Sequence, residues 1–499
     1  MTRIKQMYSI LDVIKWLRMN ESTLFGMKSK CNNVYPLLQV FQALLLYPCF
    51  MVRNPYRFTG SSLSGLLGCK KDVFYRFMSN PKINWRKSVY HLTLQLWSKI
   101  RLRSGRKEGT VCLIVDDTDY PKTGRRMENI GRVFSHVHHR CILGFKALFL
   151  AVTDGTTQML LDFALLGEKG KDGKFGMSDE ELARRFTKGR DSGDDLQERI
   201  DEYTAKKTDL MIAMIGRAIR KGVRFRYVLA DSWFACKDVI RFIRSRHVKC
   251  DYLGMIKVGE NSRTKYCLDG KPYTAPALIR HLDRQGRRKY SRRLRCYYIV
   301  ADVTFADTKV RLYFVRRSKR GAWNGLMTTD IRLEFLEAYR IYAQRWSLEV
   351  VFKEAKGLLG LGKCQAGNFA SQIAATSLTA LQYNILSLVK RFAAYETMGK
   401  LFEDVTKDSL ELSVAERMWG VMQELVIAVA ELFGLTDEDI YQAIINREED
   451  MKHICDIYRL KICKLNLRNL NKNMEDKIKL TIHAVGIGER LPIPLQDKV

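Results

Sequence analysis

The stretch Tyr342-Ala-Gln-Arg-Trp-Ser-Leu-Glu349-Val-Val-Phe-Lys353-Glu-Ala-Lys356 contains no glycine or proline and follows an apolar-periodic segment. This pattern predicts the middle of one long helix. Because a helix turns about 100° per residue, four side chains would share a stripe about 60° wide, namely Tyr342, Arg345, Glu349 and Lys356. One carboxylate therefore lies among cations on a single face of the predicted helix.

The charges around Glu349 admit two interpretations. Arg345 and Lys353 stand four residues before and after it, which should keep the carboxylate ionised and ready to bind a cation or to lie near phosphate. The alternative is a solvated helix with ordinary ion pairs between residues four apart. The helix by itself does not decide between them.

Two aspartates upstream follow apolar strands. The run Val111 to Val115 ends in Asp116-Asp117-Thr118, and the run Phe225 to Ala230 is followed by Asp231. Carboxylates that converge at the ends of strands suit hard divalent cations such as Mg²⁺. Two ions about 3.5–4 Å apart would activate an attacking oxygen and stabilise the leaving one at phosphorus. Taken singly, each aspartate is equally typical of a turn or a helix cap.

The spacing Tyr-x2-Arg-x3-Glu-x6-Lys, met here at Tyr342, Arg345, Glu349 and Lys356, resembles the signature of the insertion sequence 4 family of DDE transposases. The resemblance covers roughly residues 110 to 370. It extends to the Asp-x-Thr arrangement that begins at Asp116 and to the Leu-Ala-Asp that ends at Asp231. It implies an RNase H-like catalytic core in which Asp116, Asp231 and Glu349 are the catalytic residues and bind Mg²⁺, with Mn²⁺ as a substitute.

The same resemblance implies DNA contacts. Tyr342, Arg345 and Lys356 would contact phosphates at the transposon ends, and Lys353 of the same helix would add to that basic surface. Some relatives hold a flipped base with a tryptophan in a β-rich insertion, which makes Trp323 the candidate here. A single tryptophan is also typical of a packed core.

Of the adjacent acids Asp116 and Asp117, only one should face a metal, since residues of a strand alternate between its two faces. Asp116 shares its face with Thr118, and the family's Asp-x-Thr arrangement selects Asp116. Asp117 is left with a turn or supporting role.

Composition favours a polyanionic partner. The 499 residues carry a formal net charge of +31, spread along the chain, and such charge also suits ribosomal or membrane-surface binding. Aromatic content of 10% and long periodic segments favour a folded nucleic-acid enzyme or binder. The twelve cysteines contain no Cys-x-x-Cys pair, so we expect reduced thiols in a cytoplasmic, nucleoid-associated protein with no membrane span.

An N-terminal hairpin is a second candidate for DNA binding. Residues 61–77 predict a helix, a tight turn at Gly68 and a second, basic helix, as in a helix-turn-helix. Lys70, Lys71 and Arg76 would then reach DNA. The alternative is a packing hairpin with a solvated basic face.

The predicted fold is α/β, with an RNase H-like core interrupted by a β-rich insertion and with helical N- and C-terminal regions. We expect a helical DNA-binding domain at 1–105, the core at 106–257 and 330–395, the insertion at 258–329, and a helical region at 396–499. The predicted function is cleavage at transposon ends and transfer of the 3′-hydroxyls to target DNA by a homodimer in the DNA-bound complex. The rivals are an RNase H-fold nuclease that only hydrolyses and a non-enzymatic DNA-binding relative.

Overall fold

A computed structural model describes residues 10–30, 34–50, 52, 54–59, 64, 69–104, 109–124, 127–167, 195–245 and 247–393. The predicted C-terminal helical region, 396–499, lies outside these residues. So does most of the predicted hairpin turn, including Gly68. Within the described ranges, no helix combines the length and the apolar character that crossing a membrane requires.

Five strands form the centre of the sheet. They are β1 (Cys112–Pro121), β3 (Arg140–Thr153), β4 (Gln158–Leu166), β5 (Tyr227–Ala230) and β6 (Asp251–Ile256). In addition, β2 (Gly131–Ser135) pairs antiparallel with β3, and helix α9 (Lys237–Ile243) packs against β6. The order of the five central strands is β4-β3-β1-β5-β6, with β1 antiparallel to β3 and parallel to β5. This is the strand arrangement of an RNase H-like core, so the predicted fold class is confirmed.

The central strands are continuous apolar runs because both of their faces are covered. Leu113, Ile114 and Val115 of β1 are fully buried. Helices α8 (Lys207–Arg220) and α13 (Phe369–Ala393) pack against β4. The sequence pattern of uninterrupted hydrophobic residues thus reports a sheet enclosed on two sides.

The N-terminal part is helical, as predicted. Its aromatic core includes Phe25, Phe41, Phe77 and Trp85, whose ring centroids lie 5.3–6.4 Å apart. The helices are α1 (Ile10–Trp16), α2 (Glu21–Phe25), α3 (Leu37–Leu46), α4 (Pro55–Phe58), α5 (Lys71–Met78) and α6 (Trp85–Ser104), with a 3-10 turn at Tyr47–Phe50.

A buried ion cluster fastens α6 to the sheet. The fully buried Asp162 of β4 accepts hydrogen bonds from Arg86 Nε of α6 at 3.1 Å and from Arg217 Nε of α8 at 2.7 Å. Nη1 of Arg199, in α7 (Asp195–Asp201), lies 3.8 Å from Asp162 Oδ1. Glu202, in the 3-10 turn Glu202–Thr204, binds Arg86 through both carboxylate oxygens at 2.6 and 2.7 Å.

The β-rich insertion continues the same sheet. Its strand β12 (Asn324–Thr328) pairs antiparallel with β6, from Gly325 opposite Ile256 to Thr328 opposite Leu253. The other elements are β7 (Lys265–Leu268), β8 (Lys271–Thr274), α10 (Ala275–Arg284), β9 (Lys289–Ser291), β10 (Cys296–Phe305) and β11 (Thr308–Arg316). The insertion is therefore hydrogen-bonded to the core, and its boundaries stay a prediction.

Two strands of the insertion form a hairpin. β10 and β11 pair antiparallel up to Phe305 opposite Thr308. The two residues between them, Ala306 and Asp307, have φ angles of 51° and 59°. Positive φ at both central positions matches a two-residue turn whose twist suits the flanking strands.

The prediction of one long helix around Glu349 was wrong. The structure has two helices, α11 (Phe335–Ala343) and α12 (Trp346–Leu358). Between them the backbone stays right-handed, but Gln344 N–H donates to Ile341 O and Arg345 N–H to Tyr342 O, three residues back instead of four. This tightened turn interrupts the helix without a glycine or proline, so hydrophobic periodicity could not reveal it.

Candidate active site

Asp116 and Asp231 come together where two parallel strands separate. The last paired residues of β1 and β5 are Val115 and Ala230, and each aspartate is the next residue of its strand. Parallel pairing in register therefore brings the two carboxylates to the same edge of the sheet. One detail differs from the expectation that both acids end strands. β1 continues past Asp116 to Pro121, paired with β3, so it is β5 that ends and opens the space.

A tight turn holds Asp231 in place. Trp233 N–H donates to Asp231 Oδ1 at 3.0 Å, and Phe234 N–H donates to Asp231 O at 3.2 Å. The Phe234 side chain is fully buried and anchors the turn. The carboxylate is therefore oriented by backbone that the core fixes.

Arg345 connects the sheet to α12. Its Nη1 lies 2.6 Å from Asp116 Oδ2, and its Nη2 lies 2.7 Å from Glu349 Oε1. Both are charge-assisted hydrogen bonds in a partly buried setting. The tightened turn before α12 places Arg345 at this point, between the first and third predicted acids.

Lys356 makes a second connection between α12 and β1. Its Nζ donates to Thr118 Oγ1 at 2.6 Å and to Asp119 O at 3.0 Å. Burial lowers the pKa of the lysine. Together with the Arg345 to Asp116 pair, this contact fixes the helix along the strand at two points.

The two faces of β1 separate the adjacent acids. Asp116 and Thr118 point towards α12, as their contacts with Arg345 and Lys356 show. Asp117 instead lies 3.3 Å from Lys207 Nζ and 3.6 Å from Lys146 Nζ. This agrees with the strand register predicted from the sequence, and the catalytic assignment of Asp116 stays a prediction.

The positive charge near Asp116 and Asp231 does not offset the effect of their burial. Burial raises the pKa of Asp116 to about 7, with Asp117 and Asp231 adding to the rise and Arg345 opposing it. Burial also raises the pKa of Asp231, again with a contribution from Asp117. Nearby negative charge and desolvation both favour the protonated form. A cation placed between the aspartates would reverse this balance.

The fit to divalent metal is partial. Asp116 and Asp231 offer the hard oxygen donors that Mg²⁺ prefers. Yet no three histidine, cysteine, aspartate or glutamate side chains in the described part of the chain form a group that would hold a metal ion. Glu349 is held by Arg345 instead. The residues present fit one cation at the aspartate pair but not a complete three-acid set.

Residues 59–265 match the family model of the DDE superfamily endonuclease. The matched segment contains Asp116 and Asp231 and ends before Glu349. It supports an endonuclease domain and does not single out the insertion sequence 4 family.

Comparison with solved structures finds a piggyBac transposase synaptic complex with hairpin DNA, studied by cryo-EM. Sequence identity is 10%, the match covers 84% of this chain and 83% of that one, and the TM-score is 0.42. So loose a superposition adds nothing to the geometry of the site. No curated protein matches the sequence.

The predicted DNA-contacting residues fall in three places. Tyr342 lies near Arg345 with its hydroxyl buried, and burial raises its pKa to about 12. Lys353 is exposed on α12. Trp323 is partly buried in the insertion, where the Arg316 guanidinium lies 4.3 Å over its ring. The remaining three lie at α5 in the N-terminal region: Lys70 and Arg76, which are exposed, and Lys71, which is partly buried.

Sequence reasoning missed one cation of this region, Lys146. It is almost completely buried in β3, pairs with Asp119 and donates to Phe134 O at 2.9 Å. A lysine inside the apolar run Cys141 to Val152 was the available signal, because a buried lysine needs a charged or hydrogen-bonding partner.

Proposed function

We propose that this protein is a DDE transposase of the insertion sequence 4 kind. It would cut phosphodiester bonds at the ends of its element and join the 3′-hydroxyls to target DNA. The observation that carries the proposal is the end of the β1–β5 ladder, where Asp116 and Asp231 emerge side by side and Arg345 ties Glu349 to them. The match of residues 59–265 to an endonuclease family supports it.

Asp116 and Asp231 are the residues that would hold a divalent cation, Mg²⁺ or Mn²⁺. Endonucleases of the DDE superfamily generally use divalent metal ions, and such an ion activates an attacking oxygen and stabilises the leaving one. The protein's own part is to hold the two aspartates in register. Arg345 hydrogen-bonds to both Asp116 and Glu349, and Lys356 keeps α12 against β1.

DNA binding would draw on the excess of basic residues. A net charge of +31 suits a partner with one negative charge per phosphate. Arg345, just before α12, and Lys353 and Lys356 within it would supply cations near the acids, and Tyr342 would support Arg345. Lys70, Lys71 and Arg76 form a separate basic surface on the N-terminal helices, and Trp323 lies in the insertion. A homodimer would bring two such sites to a pair of ends.

A nuclease that only hydrolyses is the second candidate. The aspartate pair serves hydrolysis and strand transfer equally, because both are in-line displacements at phosphorus that differ only in the attacking oxygen. Incubation of pre-cut ends with supercoiled target plasmid separates the two functions. A transposase covalently joins the ends to the plasmid, whereas a hydrolase leaves the ends free.

The sharpest test of the site is Glu349→Gln. We expect it to lower cleavage of DNA carrying the ends by more than about a hundredfold while binding of the same DNA persists, since charge elsewhere supplies affinity. The matched control is Glu337→Gln on α11, which also removes a carboxylate paired with an arginine of its own helix. Cleavage is measured on labelled duplex in Mg²⁺ and binding by mobility shift. Equal cleavage by the two variants would refute the assignment of Glu349 as a catalytic residue.

A further inference from the structure

An exposed tryptophan lies beside the acid pair. Trp233 follows Asp231 by two residues, and 54% of its surface is exposed, whereas its neighbour Phe234 is fully buried. Among the described tryptophans, only Trp233 and Trp346 are exposed to this degree. This exposure leaves part of the indole ring free to contact a ligand bound beside the carboxylates.

The position of Trp233 is fixed by its backbone. Its N–H is the donor to Asp231 Oδ1 at 3.0 Å, and the turn closes through the bond from Phe234 N–H to Asp231 O. Because Phe234 anchors the turn in the core, the indole projects from a rigid base. Its location relative to the Asp231 carboxylate is therefore set by the fold.

Two lysines lie over the indole ring. Lys257 Nζ, just after β6, is 4.9 Å from a ring centroid, and Lys207 Nζ, at the start of α8, is 5.5 Å away. Lys207 also lies 3.3 Å from Asp117 Oδ2. An exposed aromatic face with cations beside it is the combination that proteins use to hold single strands, since bases stack on the ring and phosphates contact the cations.

We propose that Trp233 is a stacking platform for a nucleobase of the DNA strand that runs past Asp116 and Asp231. Lys207 and Lys257 contact the phosphates on either side of that base. The proposal rests on the function proposed above and adds how the strand is held at the site. Stacking of this kind tolerates any base, because every base has a π-face.

Trp233 suits this role better than Trp323. Trp323 is partly buried, whereas 54% of Trp233 is exposed, so Trp323 offers less free surface. No described contact links Trp323 to the acid pair, while the backbone N–H of Trp233 donates to the Asp231 carboxylate and places this residue next to it. The sequence resemblance pointed to the insertion, and the geometry points to the turn after β5.

The test compares two probes with the same phosphates. One is a fluorescein-labelled dT oligonucleotide about 12 nucleotides long, and the other has the same length with abasic units in place of every nucleotide. Binding to the full-length protein is measured by anisotropy in EDTA, so that no cleavage occurs. We expect the wild type to bind the dT probe on the order of tenfold more tightly than the abasic one.

Trp233→Ala should abolish this preference without changing affinity for the abasic probe, and Trp233→Phe should keep most of it. Tyr290→Ala, which removes another aromatic ring that is about half exposed, is the matched control and should leave the preference intact. Lys257→Gln should lower the affinity for both probes by the same factor. Thermal melts confirm that the variants are folded, which the exposure of Trp233 favours.

A preference that survives in Trp233→Ala overturns the stacking role. If that variant also still cleaves DNA at the wild-type rate, the proposed function stands without it. If the wild type binds neither probe, the stacking role and DNA binding by this site fail together.

Discussion

Two clusters of acid and arginine lie within this protein, and they are balanced in opposite ways. Around Asp162 of β4, three guanidiniums surround a fully buried carboxylate. Burial raises the pKa of Asp162, but the three arginines outweigh it and leave the pKa below its usual value. Beside β1, one guanidinium serves Asp116 and Glu349, and the pKa of Asp116 stays raised, at about 7.

The contrast separates a structural from a functional role for the same residue types. The Asp162 cluster is neutralised within the chain and joins α6, α7 and α8 to β4. The Asp116 cluster retains unneutralised negative charge at an accessible edge of the sheet. Groups with shifted pKa values concentrate at functional sites, although ion networks also shift them. Here the pKa is lowered in the structural cluster at Asp162 and raised in the functional cluster at Asp116.

The largest effect on stability should come from Asp162→Asn. The substitution removes one of the two carboxylates that Arg86, Arg199 and Arg217 share, Glu202 being the other, and breaking a buried ion cluster typically costs about 3–5 kcal/mol. Urea denaturation followed by circular dichroism measures the loss. The control is Asp302→Asn, which removes an ion pair with Arg311 from a half-exposed carboxylate and should cost under about 1 kcal/mol. Similar losses in the two variants would contradict the structural role of Asp162.

Asp116→Asn should have the opposite effect, with no loss of stability and a large loss of cleavage. It removes a carboxylate whose ionisation is opposed by burial, so the free energy of unfolding at pH 7 should stay the same or rise. Under the proposed function, cleavage in Mg²⁺ should fall by more than about a hundredfold. Asp117→Asn, on the other face of β1, should lower cleavage less. If Asp117→Asn is inactive and Asp116→Asn active, the face assignment is wrong.

The raised pKa of Asp116 also predicts a dependence of stability on pH. The Asp116 pKa rises from 3.8 in the unfolded chain to about 7 in the folded protein. Between these values the folded state binds more protons than the unfolded one, so this carboxyl makes folding less favourable as the pH rises from 4 to 7. Melting temperatures of wild type and Asp116→Asn should therefore diverge in favour of the variant across this window. A difference in melting temperature that stays constant across this window would show that folding does not raise the pKa of Asp116.

Sequence alone predicted much of this architecture. Uninterrupted apolar runs predicted the enclosed strands, and alternation along β1 assigned Asp116 and Thr118 to one face. The tightened turn at Gln344 and Arg345 was missed because it contains no helix-breaking residue. The bridge from Arg345 to Asp116 spans 229 positions of sequence, and no local pattern encodes a contact between side chains that far apart.

The pairing of β12 with β6 bears on how far this protein can be trimmed. Removal of 258–329 along the predicted boundary would take β12 away and leave β6 as an outer strand with unpaired backbone N–H and C=O groups. Such edges recruit other chains and promote aggregation. Strand β12 of the insertion therefore also protects β6, the strand next to β5 and Asp231, from pairing with other chains. A minimal soluble nuclease core should keep Asn324–Thr328 even if the rest of the insertion is replaced by a short loop.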